Sequence, residues 1–146
     1  MPAQTYTVPG DPRAAADQAA EAARNANDRL GRTAAAALAA AVRDILTMRD
    51  DTRPFDAAHI ELVESEFASL TPTGRYWTAD GTAQTFADTE GVTDPDAVMW
   101  ELREESAYLE EATRDGWSPV VTELPSTAEQ RTYRLDLAAA AALPLD

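Results

Sequence analysis

The sequence predicts a mostly helical α+β fold, and three observations predict it. Ala fills 31 of the 146 positions and concentrates in one tract, and Ala is the strongest helix former. Apolar residues recur at helical spacing in that tract, again over 57–70, and again over 96–114. Two runs of strand-like composition, 117–124 and 130–137, flank a polar loop and read as a C-terminal β-hairpin. The chain divides accordingly into an N-terminal arm (1–12), an Ala-rich helical segment (13–54), an acidic α+β body (55–137) and a C-terminal tail (138–146).

Each element has a local reason. Residues 4–8 read either as an edge strand or as loose chain. Asp11-Pro12 starts a helix: Asp caps it, and Pro fits the first helical position, where its missing N–H had no partner. The helical tract runs to about Met48 and has two characters. From Ala14 to Arg29 its apolar residues are Ala alone, which bury little area and make a marginal helix in isolation. From Leu30 onward, Leu30, Ala34, Leu38, Val42 and Ile45, with Leu46 beside them, form a proper core stripe. Gly31, near Asn25, Asn27 and Asp28, marks a break, so the tract is either one long helix or a helix pair.

Pro54 disfavours helix at Arg53. Phe55-Asp56 then reads as a hydrophobic staple and cap for a helix to about Leu70, with Ile60, Val63, Phe67 and Leu70 on one side. Thr71 to Gly74 is a turn. Residues 75–79 have strand composition and end at Asp80-Gly81, a turn signal. Residues 82–90 fit a return strand or a short helix. Gly91 to Pro95 is a turn in which Thr93 or Asp94 caps the next helix, from about Asp96 to Arg114. Val98, Leu102, Leu109 and Ala112 supply its core face, and Asp115-Gly116 stops it. Residues 138–146 form a short docked segment or fray.

Charge excludes more than it assigns. There are 26 acids and 12 basic residues, all Arg, for a net charge of −14. Residues 1–54 balance seven Arg against seven acids, so the whole excess belongs to residues 55–146. A pI near 4.3 argues against general affinity for phosphate backbones. Zero Cys excludes disulfides, thiolate metal sites and Cys nucleophiles. No run of 18 apolar residues spans a membrane and no signal-peptide pattern opens the chain, so a cytoplasmic protein is expected. Without Lys there is no phosphate-loop lysine, and no Ser lies in a G-x-S-x-G elbow. His59 is the single His and reads as a surface or boundary residue. Asp88, Glu90, Asp94 and Asp96 cluster, but without the alternation of a calcium loop. No cofactor, metal or catalytic role is expected.

The order of motifs from Thr82 to Leu137 resembles a winged helix–turn–helix domain. Ala87 stands in the first-helix position and Gly91-Val92-Thr93 in the turn. The stretch from Val98 to Leu109 follows as second helix, and Gly116-Trp117 with Tyr133-Arg134-Leu135 as wing. The resemblance implies a second helix that reads DNA bases, work done mainly by Arg, Lys, Asn and Gln. Here Val98 falls one residue late, and the helix carries Asp94, Asp96, Glu101, Glu104 and Glu105 against Arg103. Only Arg131 and Arg134 lie near the wing. Direct nucleic-acid contact through this helix is therefore not expected.

The most organised polar feature is a stripe at three- and four-residue spacing: Glu101, Glu104, Glu105, Tyr108, Glu111 and Asp115. Trp77 and Trp117 read as core, and Trp100 lies at the stripe's edge. The expected function is a non-catalytic interaction or regulatory protein whose stripe docks on a basic protein surface. A sharper version is an inhibitor that mimics nucleic acid by presenting carboxylates where phosphates would lie. One alternative is a winged-helix transcription regulator that contacts DNA elsewhere, such as through the seven Arg of its first half. Another is a structural subunit of a larger particle, a homo-oligomer joined through residues 14–48.

Overall fold

The structure, a computed structural model, describes residues 3–126 and 129–146. Its elements in chain order are α1 (Pro12–Thr47), β1 (His59–Glu64), β2 (Leu70–Trp77), β3 (Ala83–Thr85), α2 (Pro95–Glu105), α3 (Arg114–Trp117), β4 (Val121–Glu123), β5 (Thr132–Asp136) and α4 (Leu137–Ala141). Short 3₁₀ turns at Glu111–Thr113 and Ser118–Val120 flank α3. The α+β class is as expected, with a larger sheet: five antiparallel strands in the order β3-β2-β1-β5-β4. No helix among the described residues is long and apolar enough to cross a membrane.

Helix α1 is one continuous helix of 36 residues, about 54 Å at 1.5 Å per residue. Asp11 caps it as expected, its carboxylate accepting from the backbone N–H groups of Arg13 and Ala14 at 3.1 Å. Gly31 does not break it. A Cβ on Gly31 would stand 2.2 Å from the carbonyl oxygen of Thr113, and one on Gly116 would stand 2.1 Å from that of Asp28. The two glycines let the backbones of α1 and α3 cross in contact. Gly116 is accordingly inside a helix and does not end one.

From Ala34 to Val42 the helix buries Ala34, Ala35, Leu38, Ala39, Ala41 and Val42 in one core with Ile60 and Leu62 of β1, Tyr76 of β2 and Leu135 of β5. Toward its other end nothing is buried: residues 3–26 are exposed throughout. Residues 4–8 form no strand. The tail docks on α1. Arg29 Nε donates to the Leu145 carbonyl at 3.0 Å, and Arg32 donates to the carbonyls of Pro144 and Asp146 while pairing with Asp28 at 2.9 Å.

The expected helix over 57–70 is instead the hairpin of β1 and β2. Ile60 and Leu62 alternate into the core, and Val63 is half-buried. Phe67, assigned to the same apolar side, is 80% exposed in the tight turn between the strands. Asp56 caps no helix; its carboxylate accepts from the Ala79 N–H at 3.1 Å. Residues 71–74 are not a turn but part of β2. The register slips there, so that Ile60 faces Tyr76 while Leu62 faces Pro72. Gly74, at φ 96°, sits in this bulge against Met99 of α2. Pro72 is tolerated because β3 pairs only with 75–77, leaving no strand on its far side.

The helix expected to Arg114 ends at Glu105. Thr113, buried, gathers the chain after it: its hydroxyl donates to the Tyr108 carbonyl and accepts from Trp117 Nε1 at 3.2 Å and from the Glu110 N–H at 3.3 Å. The C-terminal hairpin is present as β4 and β5, shorter than the runs suggested because Trp117 belongs to α3. Of the placements behind the winged-helix resemblance, residues 95–105 are helix and 121–136 hold the hairpin, whereas Ala87 lies in a turn.

Candidate functional site

Helix α2 starts as the sequence suggested. Asp94 caps it by accepting from the Ala97 N–H at 3.1 Å, and Pro95 takes the first position. Leu102 is its buried anchor, with Val98 and Met99 half-buried beside it. That orientation turns Asp96, Trp100 and Glu104 to solvent, one turn apart along the helix. Trp100 is 65% exposed, the largest apolar side chain left outside in this region.

The acidic stripe is brought together only in part. Glu101, Glu104 and Glu105 share α2, and Tyr108, 54% exposed, follows directly after it. Glu111 and Asp115 belong to the next 3₁₀ turn and to α3, on a separate helical axis. Glu101 meets Arg49 at 3.5 Å and Glu111 meets Arg114 at 3.2 Å. Glu101 is half-buried and the other three side chains are exposed, and pairs this open to solvent contribute little. Among the described residues, six ion pairs engage six of the 26 acids. Glu104, Glu105 and Asp115 stand in none of them.

The other candidates resolve differently. Asp88 accepts from Thr85 Oγ1 at 2.9 Å and Asp94 is a cap, so two members of the acidic turn cluster are occupied by their own backbone and neighbours. No group of three metal-ligating side chains occurs among the described residues. His59 is half-buried, on a strand, and next to the core residue Ile60. Trp117 is buried as expected, with its ring N–H bonded to the Glu110 carbonyl at 3.0 Å. Trp77 is only half-buried.

A second surface was not visible in the sequence. The sheet face away from the core carries His59 opposite Trp77 and Asp136, and Glu61 opposite Arg134. A shallow cleft of about 460 Å³ lies there, lined by His59, Trp77, Arg134, Leu124 and the turn at Asp80. The guanidinium of Arg75 lies 5.3 Å from the Trp77 ring centre, and Glu61 accepts from Thr73 and lies 4.0 Å from Arg75. Arg134 makes no ion pair among the described residues. The Asp80 carboxyl is held down to a pKa of about 2, first by the Thr78 hydroxyl at 2.5 Å and then by Thr82. The strand-like composition of 75–79, 117–124 and 130–137 hinted at its parts, but β1 between them reads as helix in the sequence, so the face itself was hidden.

No protein-family model matches the chain, and no curated protein or solved structure matches it either.

Proposed function

We propose that this chain is a non-catalytic binding protein whose acidic body docks on a basic protein surface through the exposed side of α2. The observation that supports this reading is the combination on α2 and just beyond it of the exposed Glu104 and the half-buried Glu101 and Glu105, three carboxylates against the one exposed Arg103, with the exposed rings of Trp100 and Tyr108. Carboxylates alone keep a protein soluble. Carboxylates around an exposed Trp and Tyr also offer the aromatic contact area in which binding energy concentrates. The surrounding field adds attraction for a cationic partner within about 8 Å at physiological salt. Glu111 and Asp115, displaced to the following turns, widen the negative surface without sharing the helix face.

The experiment is a titration of the protein with a lysine-rich peptide, followed by Trp fluorescence. Binding weakens by about tenfold or more as salt rises from about 50 to about 300 mM, and Trp100→Ala removes most of the signal. Binding that ignores salt, or that leaves Trp100 fluorescence unchanged, rejects the reading.

A further inference from the structure

A mainly apolar groove of about 360 Å³ runs along the packed half of α1, lined by Ala36, Ala40, Phe55, Ala138, Ala141 and Leu145, with Arg43 as its one charged lining residue. Phe55 and Leu145 are 43% and 55% exposed, so the groove is open at its rim. The N-terminal segment carries two apolar side chains left largely outside the core: Tyr6, 86% exposed, and Val8, 52% exposed. They stand two residues apart, on the spacing of an extended strand.

Tyr6 cannot enter the groove of its own chain. From Asp11 to Ala36 the helix rises about 37 Å at 1.5 Å per residue, while five extended residues from Asp11 back to Tyr6 span about 17 Å. A second copy removes the difficulty. Along the exposed half of α1, Ala15, Ala19, Ala22 and Ala26 recur at spacings of four, three and four on one face. Arg13, Asp17, Glu21, Arg24 and Asp28 all lie on the opposite face. Two such helices laid antiparallel pair Ala15 with Ala26 and Ala19 with Ala22, reciprocally, as a two-fold axis requires. Between Ala15 and Ala26 no charge enters the contact; Arg29, on the same face just beyond Ala26, is held by the Leu145 carbonyl at 3.0 Å and stands near the partner's Asp11. In that register the partner's Asp11 falls beside Leu30, and its extended segment of about 17 Å continues for the length of about eleven helical residues. That carries the partner's Val8 to about the level of Ala37 and its Tyr6 to about that of Ala41, alongside the groove.

We propose that the groove between α1, α4 and Phe55 receives the Tyr6–Val8 segment of a second copy of this chain, delivered by antiparallel pairing of the exposed halves of α1. Reach argues for this occupant: the segment is too short for its own groove and, in the proposed antiparallel register, long enough for its partner's. The inference is independent of the acidic surface, which lies on another helix.

The chain has no Cys, so single cysteines on the exposed helix report the pairing. Mild oxidation of a mixture of Ala15→Cys and Ala26→Cys proteins yields a cross-linked heterodimer. Ala15→Cys alone does not cross-link, because its two thiols would stand about 16 Å apart in the antiparallel pair, too far for a disulfide. Sedimentation of the native chain finds a dimer, and Tyr6→Ser weakens it about tenfold or more. A strict monomer at about 100 μM, or self-cross-linking of Ala15→Cys alone, overturns the pairing. A dimer unaffected by Tyr6→Ser overturns the assignment of the groove.

Discussion

Residues 12–26 and 30–47 belong to one helix, yet the two halves are held by different things. The second half is fixed by tertiary structure: Leu38 and Val42 are fully buried, and Gly31 meets the backbone of α3. The first half buries no residue against the body and rests on Ala propensity and the Asp11 cap. The charge divides along a related line. Residues 1–54 are neutral overall, and the body beyond them carries the full net charge of −14. One regular element thus serves two purposes. A helix anchored at one end extends a neutral, small-residue surface well clear of an acidic globule, whose field would otherwise repel a second copy.

The largest expected effect lies where α1 crosses α3. In an isolated helix Gly→Ala stabilises by about 1 kcal/mol. At Gly31 the added Cβ meets the Thr113 carbonyl oxygen, so Gly31→Ala destabilises instead, by about 2 kcal/mol as in other overpacked sites. Thermal unfolding decides the sign. A smaller effect separates the body's own acids. The folded Asp80 pKa is depressed, so its contribution to stability is present above the ordinary carboxylate range. That contribution is lost as pH falls from about 4 through about 2. Asp80→Asn therefore flattens this part of the acid-unfolding profile, which circular dichroism follows across that range. The smallest effect is the most telling for the helix. A chain beginning at Asn27 unfolds at a temperature within about 2 °C of the full chain under conditions where both are monomeric. A large drop would mean that the exposed half supports the body after all.

Much of the first half of the chain was legible because its signals are local. The Asp11-Pro12 start and the Leu30-to-Ile45 stripe need only neighbouring residues to be read, and both stand in the structure. The misreadings share one cause, a long-range contact that overrides a local pattern. Gly31 and Gly116 look like punctuation until the two backbones are seen to touch. Ile60, Val63, Phe67 and Leu70 fit a helix by spacing, but β1 lies between β2 and β5, and the cross-strand pairing decides. Half of the acidic stripe survived because Glu101 to Glu105 lie within one helix. Glu111 and Asp115 left it because the chain after Ser106 turns around the buried Thr113 hydroxyl. The cleft beside His59 and Trp77 had no local signature, since three strands from distant parts of the sequence build it.

The proposed docking of the body rests on the placement of charge and not on its total, and one comparison of variants separates the two. Glu101→Gln, Glu104→Gln and Glu105→Gln together remove three charges from α2. Asp17→Asn, Glu21→Gln and Asp51→Asn together remove three from the neutral first part of the chain. Affinity for a lysine-rich peptide at about 100 mM salt falls about tenfold or more in the first triple variant and changes little in the second. Equal losses in both would show that only net charge matters, and would contradict a docking face on α2.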